Sequence, residues 1–244
     1  MSIRIAVAGK GGTGKTTFVA LLIKELLKNN QYPILAIDAD PNSNLNEHLG
    51  IEYEETISKI REEIRDEKNI PQSMSKPEYI NYRLTQSITE SNGIDLLVMG
   101  APEGKGCYCY VNELLRNFLS NLSKDYRFVI IDNAAGMEHL SRTTTDNIDI
   151  LFIIINPDRV SITAGKKIYK LAKELKLNIK KIYFIINRAN NTDYSELITE
   201  FNKDGLEIAG FLPEADELKY IPIPENTAVN IDIKKLIDNF IFIK

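Results

Sequence analysis

Directly after an apolar run at 3–8 and directly before an amphipathic stripe, the chain reads Gly9-Lys10-Gly11-Gly12-Thr13-Gly14-Lys15-Thr16-Thr17. Glycine lets a backbone turn so that successive N–H groups converge on one point. A helix that starts where the turn ends adds the partial positive charge of its N-terminus. Strand, glycine-rich turn and helix closing on Gly-Lys-Thr form the local context of a phosphate-binding P-loop. Such a unit sits at the carboxyl end of a parallel strand covered by helices, so it commits the chain to a layered α/β architecture. On this reading Gly9, Gly11, Gly12, Thr13, Gly14, Lys15, Thr16 and Thr17 bind nucleotide. Lys15 reaches the β- and γ-phosphates, and Thr16 ligates Mg²⁺, which takes hard oxygen donors.

The rest of the chain has the matching pattern. Continuously apolar, often β-branched runs occur at Ile3–Ala8, Pro33–Ile37, Ile94–Val98, Phe128–Ile131, Ile150–Ile155, Ile182–Ile186 and Leu206–Ala209. Runs without polar alternation suit parallel strands covered on both faces. Helical stripes lie between them: Phe18, Leu21, Leu22 and Leu26; Val111, Leu114, Leu115, Phe118, Leu119 and Leu122; Ala164, Ile168, Leu171, Ala172 and Leu175. The expected fold is α/β: a doubly wound, mostly parallel sheet of seven to eight strands flanked by helices, with residues 1–244 as one domain. Residues 52–92 fit less regularly. A charged stretch at 62–68 (EEIRDEK) and a weak helix at Tyr79–Ile88 read as a solvated helical excursion. The stripe Ile233, Leu236, Ile237, Phe240 and Ile241 reads as a helix packed on the sheet rather than a membrane anchor, because it carries few cations.

A formal net charge of −4 gives no electrostatic reason to bind nucleic acid or an anionic membrane. The opening apolar run is too short for a signal peptide, and the run at 148–156 is far below the length of a membrane span. A cytoplasmic protein, with no nucleic-acid partner and no stable membrane association, is expected. The two cysteines are separated by a single residue, which argues against a disulfide framework.

Lys10, straight after the first glycine, gives the loop a resemblance to the deviant Walker A class, which includes nitrogenase iron protein, arsenical-pump and tail-anchored-protein ATPases, and the Min and Par ATPases. The resemblance implies an ATP-dependent homodimer in which Lys10 reaches the partner's nucleotide. It also implies ATP hydrolysis, with Lys10, Lys15 and Asp40 as the catalytic set. Ile37-Asp38-Ala39-Asp40-Pro41 is similar to the class's switch I; there Asp40 orients the attacking water and Asp38 supports Mg²⁺ through its water shell. Asp132, followed by Asn133-Ala134-Ala135-Gly136, resembles Walker B and switch II, with Asp132 on a Mg²⁺-bound water and the Gly136 amide sensing the γ-phosphate. By the same resemblance Asn187 reads adenine, and Arg188 and Pro213 lie beside the base.

Cys107 and Cys109, two apart in an extended segment, project to one side. The helix expected to start near Val111 favours their thiolates. Two thiolates are half of a four-sulfur set, and a two-fold axis would supply the rest. Such a set suits Zn²⁺, Ni²⁺ or an iron–sulfur cluster. GKGGTGKTT, DADPNSNL, PEGKGCYCYVN and DNAAGMEHLSR together resemble the CooC-type nickel-insertion ATPases of carbon monoxide dehydrogenase maturation, with the AcsF group of acetyl-CoA synthase as siblings. That likeness implies one Ni²⁺ (or Zn²⁺) bound between two subunits by Cys107 and Cys109. It implies a client nickel enzyme, carbon monoxide dehydrogenase or acetyl-CoA synthase, and ATP/ADP with Mg²⁺ as cofactors. The chain departs from the family pattern at Ala134, where an acidic residue is expected, and at Thr143, where a second arginine is expected. An iron–sulfur carrier and a Min/Par-like positioning ATPase are the alternatives on the same frame. His48 and His139 read as packing or helix-start residues.

Overall fold

The computed structural model describes residues 2–101, 109–135, 147–174, 178–190 and 192–242. Its strands are β1 Ile3–Gly9, β2 Ile34–Ala39, β3 Thr89–Ser91, β4 Ile94–Val98, β5 Phe128–Asn133, β6 Asn147–Ile155, β7 Asn178–Ala189 and β8 Ile208–Pro213. Its helices are α1 Lys15–Lys28, α2 Leu45–Leu49, α3 Ile57–Glu63, α4 Lys76–Gln86, α5 Cys109–Leu122, α6 Arg159–Glu174, α7 Ser195–Lys203 and α8 Asn230–Leu236. They build an eight-stranded sheet in the order β3-β4-β2-β5-β1-β6-β7-β8. Every neighbouring pair is parallel except β3–β4.

The alternation of side chains along each strand divides the core in two. Ile5 and Val7 of β1 join Phe18 and Leu22 of α1 and Ile233 and Leu236 of α8 on one face. Ala6 and Ala8 join Ile57, Ile60, Ile80, Leu115 and Leu119 on the other. Each fully buried Leu, Ile or Phe contributes about 1.5–3 kcal/mol. The expected C-terminal stripe forms α8 and a π-helical continuation, Ile237–Ile241, with Ile233, Leu236, Ile237 and Ile241 buried.

Three local expectations shift. The helix expected across 62–68 ends at Glu63, because its apolar stripe is Ile57, Ile60 and Ile64 and its cap is Thr56, whose hydroxyl accepts from Lys59 N. The excursion is solvated on one side only: Ile57, Ile60, Ile64, Ile80 and Leu84 are buried in the core. The last strand runs Ile208–Pro213, beyond the apolar run at Leu206–Ala209, since Gly210 lies flat against Leu236 instead of starting a turn. The short polar edge strand β3 has no apolar run to announce it.

Candidate functional site

The loop after β1 is held by contacts that demand glycine at two places. A Cβ on Gly9 would lie 2.5 Å from the Ile154 carbonyl oxygen on β6. Gly14 has φ 88°, the left-handed region, and a side chain there would collide with the Asn187 amide. The Lys10 carbonyl gathers three donors: Thr13 N at 3.3 Å, Thr13 Oγ1 at 2.8 Å and Lys15 Nζ at 3.4 Å. Lys15 is buried, and the Lys10 side chain is exposed. Asn187, at the end of β7, donates from Nδ2 to the Thr13 carbonyl at 2.8 Å. It thereby braces the loop from the adjacent strand.

Two carboxylates face this loop. Asp38 and Asp132 are register partners on β2 and β5. They stand two residues beyond Ala36 and Ile130, which belong to the α1 side of the core, so both share that face and point toward the N-terminus of α1. Both have no solvent exposure. Asp38 accepts from Asp40 N at 3.1 Å and Leu45 N at 3.0 Å, so it ties down the loop that follows β2. Burial nevertheless raises its pKa to about 6. Among the described residues neither oxygen of Asp132 meets the geometry of a hydrogen bond, although the Thr16 hydroxyl lies close enough to stabilise its charge. Burial raises its pKa to about 7; the Thr16 hydroxyl and Lys15 ammonium pull it down, and the Asp38 charge pushes it up. A buried carboxylate beside a threonine hydroxyl and a second carboxylate is the donor chemistry a hard divalent cation takes.

Over the P-loop and the start of α1 opens a cleft of about 550 Å³. Gly11, Gly12, Gly14, Lys15, Thr16 and Thr17 form one wall; Asp40, Pro41, Asn42 and Asn44 form another; Ala134, Ala135 and Arg188 complete it. Asp40 Oδ1 accepts from Asn42 N at 2.9 Å and Asn42 Nδ2 at 3.0 Å. Arg188 has φ 54°, a strained conformation for a non-glycine residue, at the register shift between Asn187 and Ala189 near the end of β7, and it lines the cleft. The structure thus brings together the P-loop, Asp38, Asp40, Asp132, Asn187 and Arg188. Pro213 ends β8 in register with Ala189 and is not among the cleft-lining residues. Gly136, Cys107 and His139 lie outside the described residues; Cys109 opens α5, and its side chain is not described. Among the described residues no three His, Cys, Asp or Glu side chains form a metal-binding group, and no helix is long and apolar enough to cross a membrane.

Sequence reasoning missed Asn42, Asn44 and His48. The histidine, read as a packing or helix-start residue, stands with Nε2 3.5 Å from Thr17 Oγ1 and Nδ1 2.9 Å from the Asn44 carbonyl. Its place four residues after Asn44, in the polar tail of the switch-I-like segment, was the available signal.

The comparisons agree with this geometry. Residues 2–185 match the model of a family described as an AAA domain. An uncharacterized ATP-binding protein of Methanocaldococcus jannaschii is 45% identical, over 97% of this chain and 98% of its own. The carbon monoxide dehydrogenase accessory protein CooC of Rhodospirillum rubrum is 33% identical, over 86% of this chain and 83% of its own. Among solved structures, the MinC:MinD cell division protein complex of Aquifex aeolicus superimposes with a TM-score of 0.70 at 18% identity, covering 100% of this chain and 97% of that one. The chain belongs to the AAA-domain family of P-loop nucleoside triphosphatases and has the fold of MinD.

Proposed function

We propose that this protein is a single-domain, cytoplasmic ATPase that works as a homodimer and carries Ni²⁺, or Zn²⁺, to a client nickel enzyme. The observation that carries the ATPase reading is Asp132: a fully buried carboxylate, its oxygens without a well-formed hydrogen bond among the described residues, beside Thr16 and level with Asp38. The loop amides and Lys15 hold the phosphates, Lys15 exchanging the Lys10 carbonyl for a phosphate oxygen. Asp40 orients water, which adds to the γ-phosphorus as the bond to the bridging oxygen breaks, giving ADP and phosphate. Lys10, solvent-exposed, extends to the partner protomer's nucleotide. Asn187 and Arg188 address the base, and Gly136 senses the γ-phosphate. Thr16, Asp38 and Asp132 would hold Mg²⁺, which neutralises charge on the phosphates.

The cargo reading rests on Cys107 and Cys109 with the likeness to CooC. Two protomers would supply four thiolates to one ion, and ATP state would govern its release only through a difference in metal affinity between states. A client of the carbon monoxide dehydrogenase or acetyl-CoA synthase kind follows from the same likeness; no nucleic acid or stable membrane partner is involved. The test is ATP turnover and Ni²⁺ stoichiometry of anaerobically purified wild type, Lys15→Ala and Cys107→Ala. Lys15→Ala should lose turnover by about 100-fold or more. Cys107→Ala should lose the shared ion while still binding ATP. Equal Ni²⁺ per dimer in wild type and Cys107→Ala would remove the cargo reading and leave the ATPase reading standing.

A further inference from the structure

We infer that His48 is a positioning residue that competes with bound nucleotide for the single proton of the Thr17 hydroxyl, so that filling the cleft is felt by α2. The inference rests on the nucleotide-site reading above and names a regulation of that site.

The chemistry follows from what each atom can do. The Asn44 carbonyl oxygen only accepts, so His48 Nδ1, 2.9 Å away, carries the ring's proton. Nε2 of the neutral ring is then a lone-pair acceptor, and the group facing it at 3.5 Å is Thr17 Oγ1. The hydroxyl therefore points its proton at His48, across a long and weak bond. Thr17 also lines the cleft. A phosphate oxygen there only accepts, and Thr17 has one proton to give. Binding moves that proton from the histidine to the phosphate and leaves Nε2 facing oxygen lone pairs.

The cost falls on α2, which is tied on three sides. Leu45 N donates to Asp38 on β2, Ile223 N donates to the His48 carbonyl at 3.1 Å, and the ring reaches Thr17 on α1. Release of the ring loosens one tie of an element that joins the Asp40–Asn44 loop to the segment around Pro222. Any nucleotide that presents a phosphate to Thr17 triggers this release, ADP included. The signal is thereby distinct from sensing of the γ-phosphate.

The sign of one substitution separates competition from simple bracing. Wild-type ADP binding is measured first, by calorimetry with Mg²⁺ on the full chain; if none is found, the site reading fails and this inference falls with it. Given binding, His48→Asn keeps a donor for the Asn44 carbonyl and loses Nε2. It should tighten ADP by about 2- to 5-fold, the worth of one weak hydrogen bond. His48→Ala should do the same, and in a Thr17→Val background neither change should alter affinity. Weaker ADP binding in His48→Asn, or an equal change with and without the Thr17 hydroxyl, overturns the inference. As a second readout, the ¹⁵N resonance of His48 Nε2 should move on saturation with Mg·ADP in wild type and in Thr17→Ser. An unmoved resonance at saturation also overturns it.

Discussion

Two acidic clusters in this molecule are built from the same kind of carboxylate and do opposite things. Glu55 and Glu63 meet Arg83, which reaches Glu63 with Nε at 3.0 Å and Nη2 at 2.7 Å and reaches Glu55 at 2.8 Å. Tyr79 donates to Glu63 as well. Burial pushes the Glu63 carboxyl up, but the Arg83 and Tyr79 hydrogen bonds outweigh it and leave its pKa below the ordinary value. Asp38 and Asp132 lie side by side, with no cation bonded to either among the described residues, and theirs rise to about 6 and about 7. The first cluster is complete within the chain and fastens α3 to α4. The second keeps its charge unpaired among the described residues, which is the pattern of a candidate cation site.

Asp132→Asn should break the contrast most strongly. It removes a fully buried charge, so the nucleotide-free protein should gain on the order of 2–4 kcal/mol at pH 8. ATP turnover should fall by about 100-fold or more. Chemical denaturation and a phosphate-release assay read both effects. A loss of stability would place Asp132 among the structural carboxylates.

The pH dependence of the wild type gives a somewhat smaller effect. Groups whose folded pKa is raised contribute stability that is complete below the unfolded value, near 3.8, and is lost as pH climbs through about 6 and 7. The nucleotide-free melting temperature should therefore fall between pH 5 and pH 8. Mg·ADP should flatten the curve. The lowered carboxyls, Glu63 among them, act with the opposite sign and in a more acidic window, so they do not blur the measurement.

Arg83→Ala should give the smallest effect. The pair is partly solvent-screened, with side-chain exposures of 19% for Arg83 and 27% for Glu63, so a loss of about 1–2 kcal/mol is expected. That loss should fade as pH falls through the lowered Glu63 pKa. Nucleotide affinity should stay within about 3-fold of wild type. A large drop in affinity would join the two clusters functionally.

The phosphate end of the fold was legible because its physics is local. Gly14 needs a left-handed φ, Lys15 and Thr16 follow it on the first turn of a helix, and Asp38 and Asp132 close apolar runs that can only be buried strands. The parts that were not legible depend on contacts distant in sequence. Nothing near Thr89–Ser91 says that it pairs with β4, since three polar residues carry no periodicity. Asn187 could be placed at a strand end, but its grip on the Thr13 carbonyl, 174 positions away, emerges only when β7 comes up against the loop. His48 is similar: its spacing from Asn44 is visible in the sequence, and its neighbour Thr17 is not.

The central claim is that a cation and nucleotide complete the Asp38–Asp132 pair. Calorimetric titration of Mg·ADP at pH 6.5, in buffers of differing ionisation enthalpy, tests it by counting protons. With carboxyl pKa values near 6 and 7, the empty site holds about one proton at that pH. Binding should release about that many beyond the protons that Mg²⁺ and ADP release alone, and Asp132→Asn should abolish most of the excess. Tight binding with no excess proton release in the wild type would contradict the account.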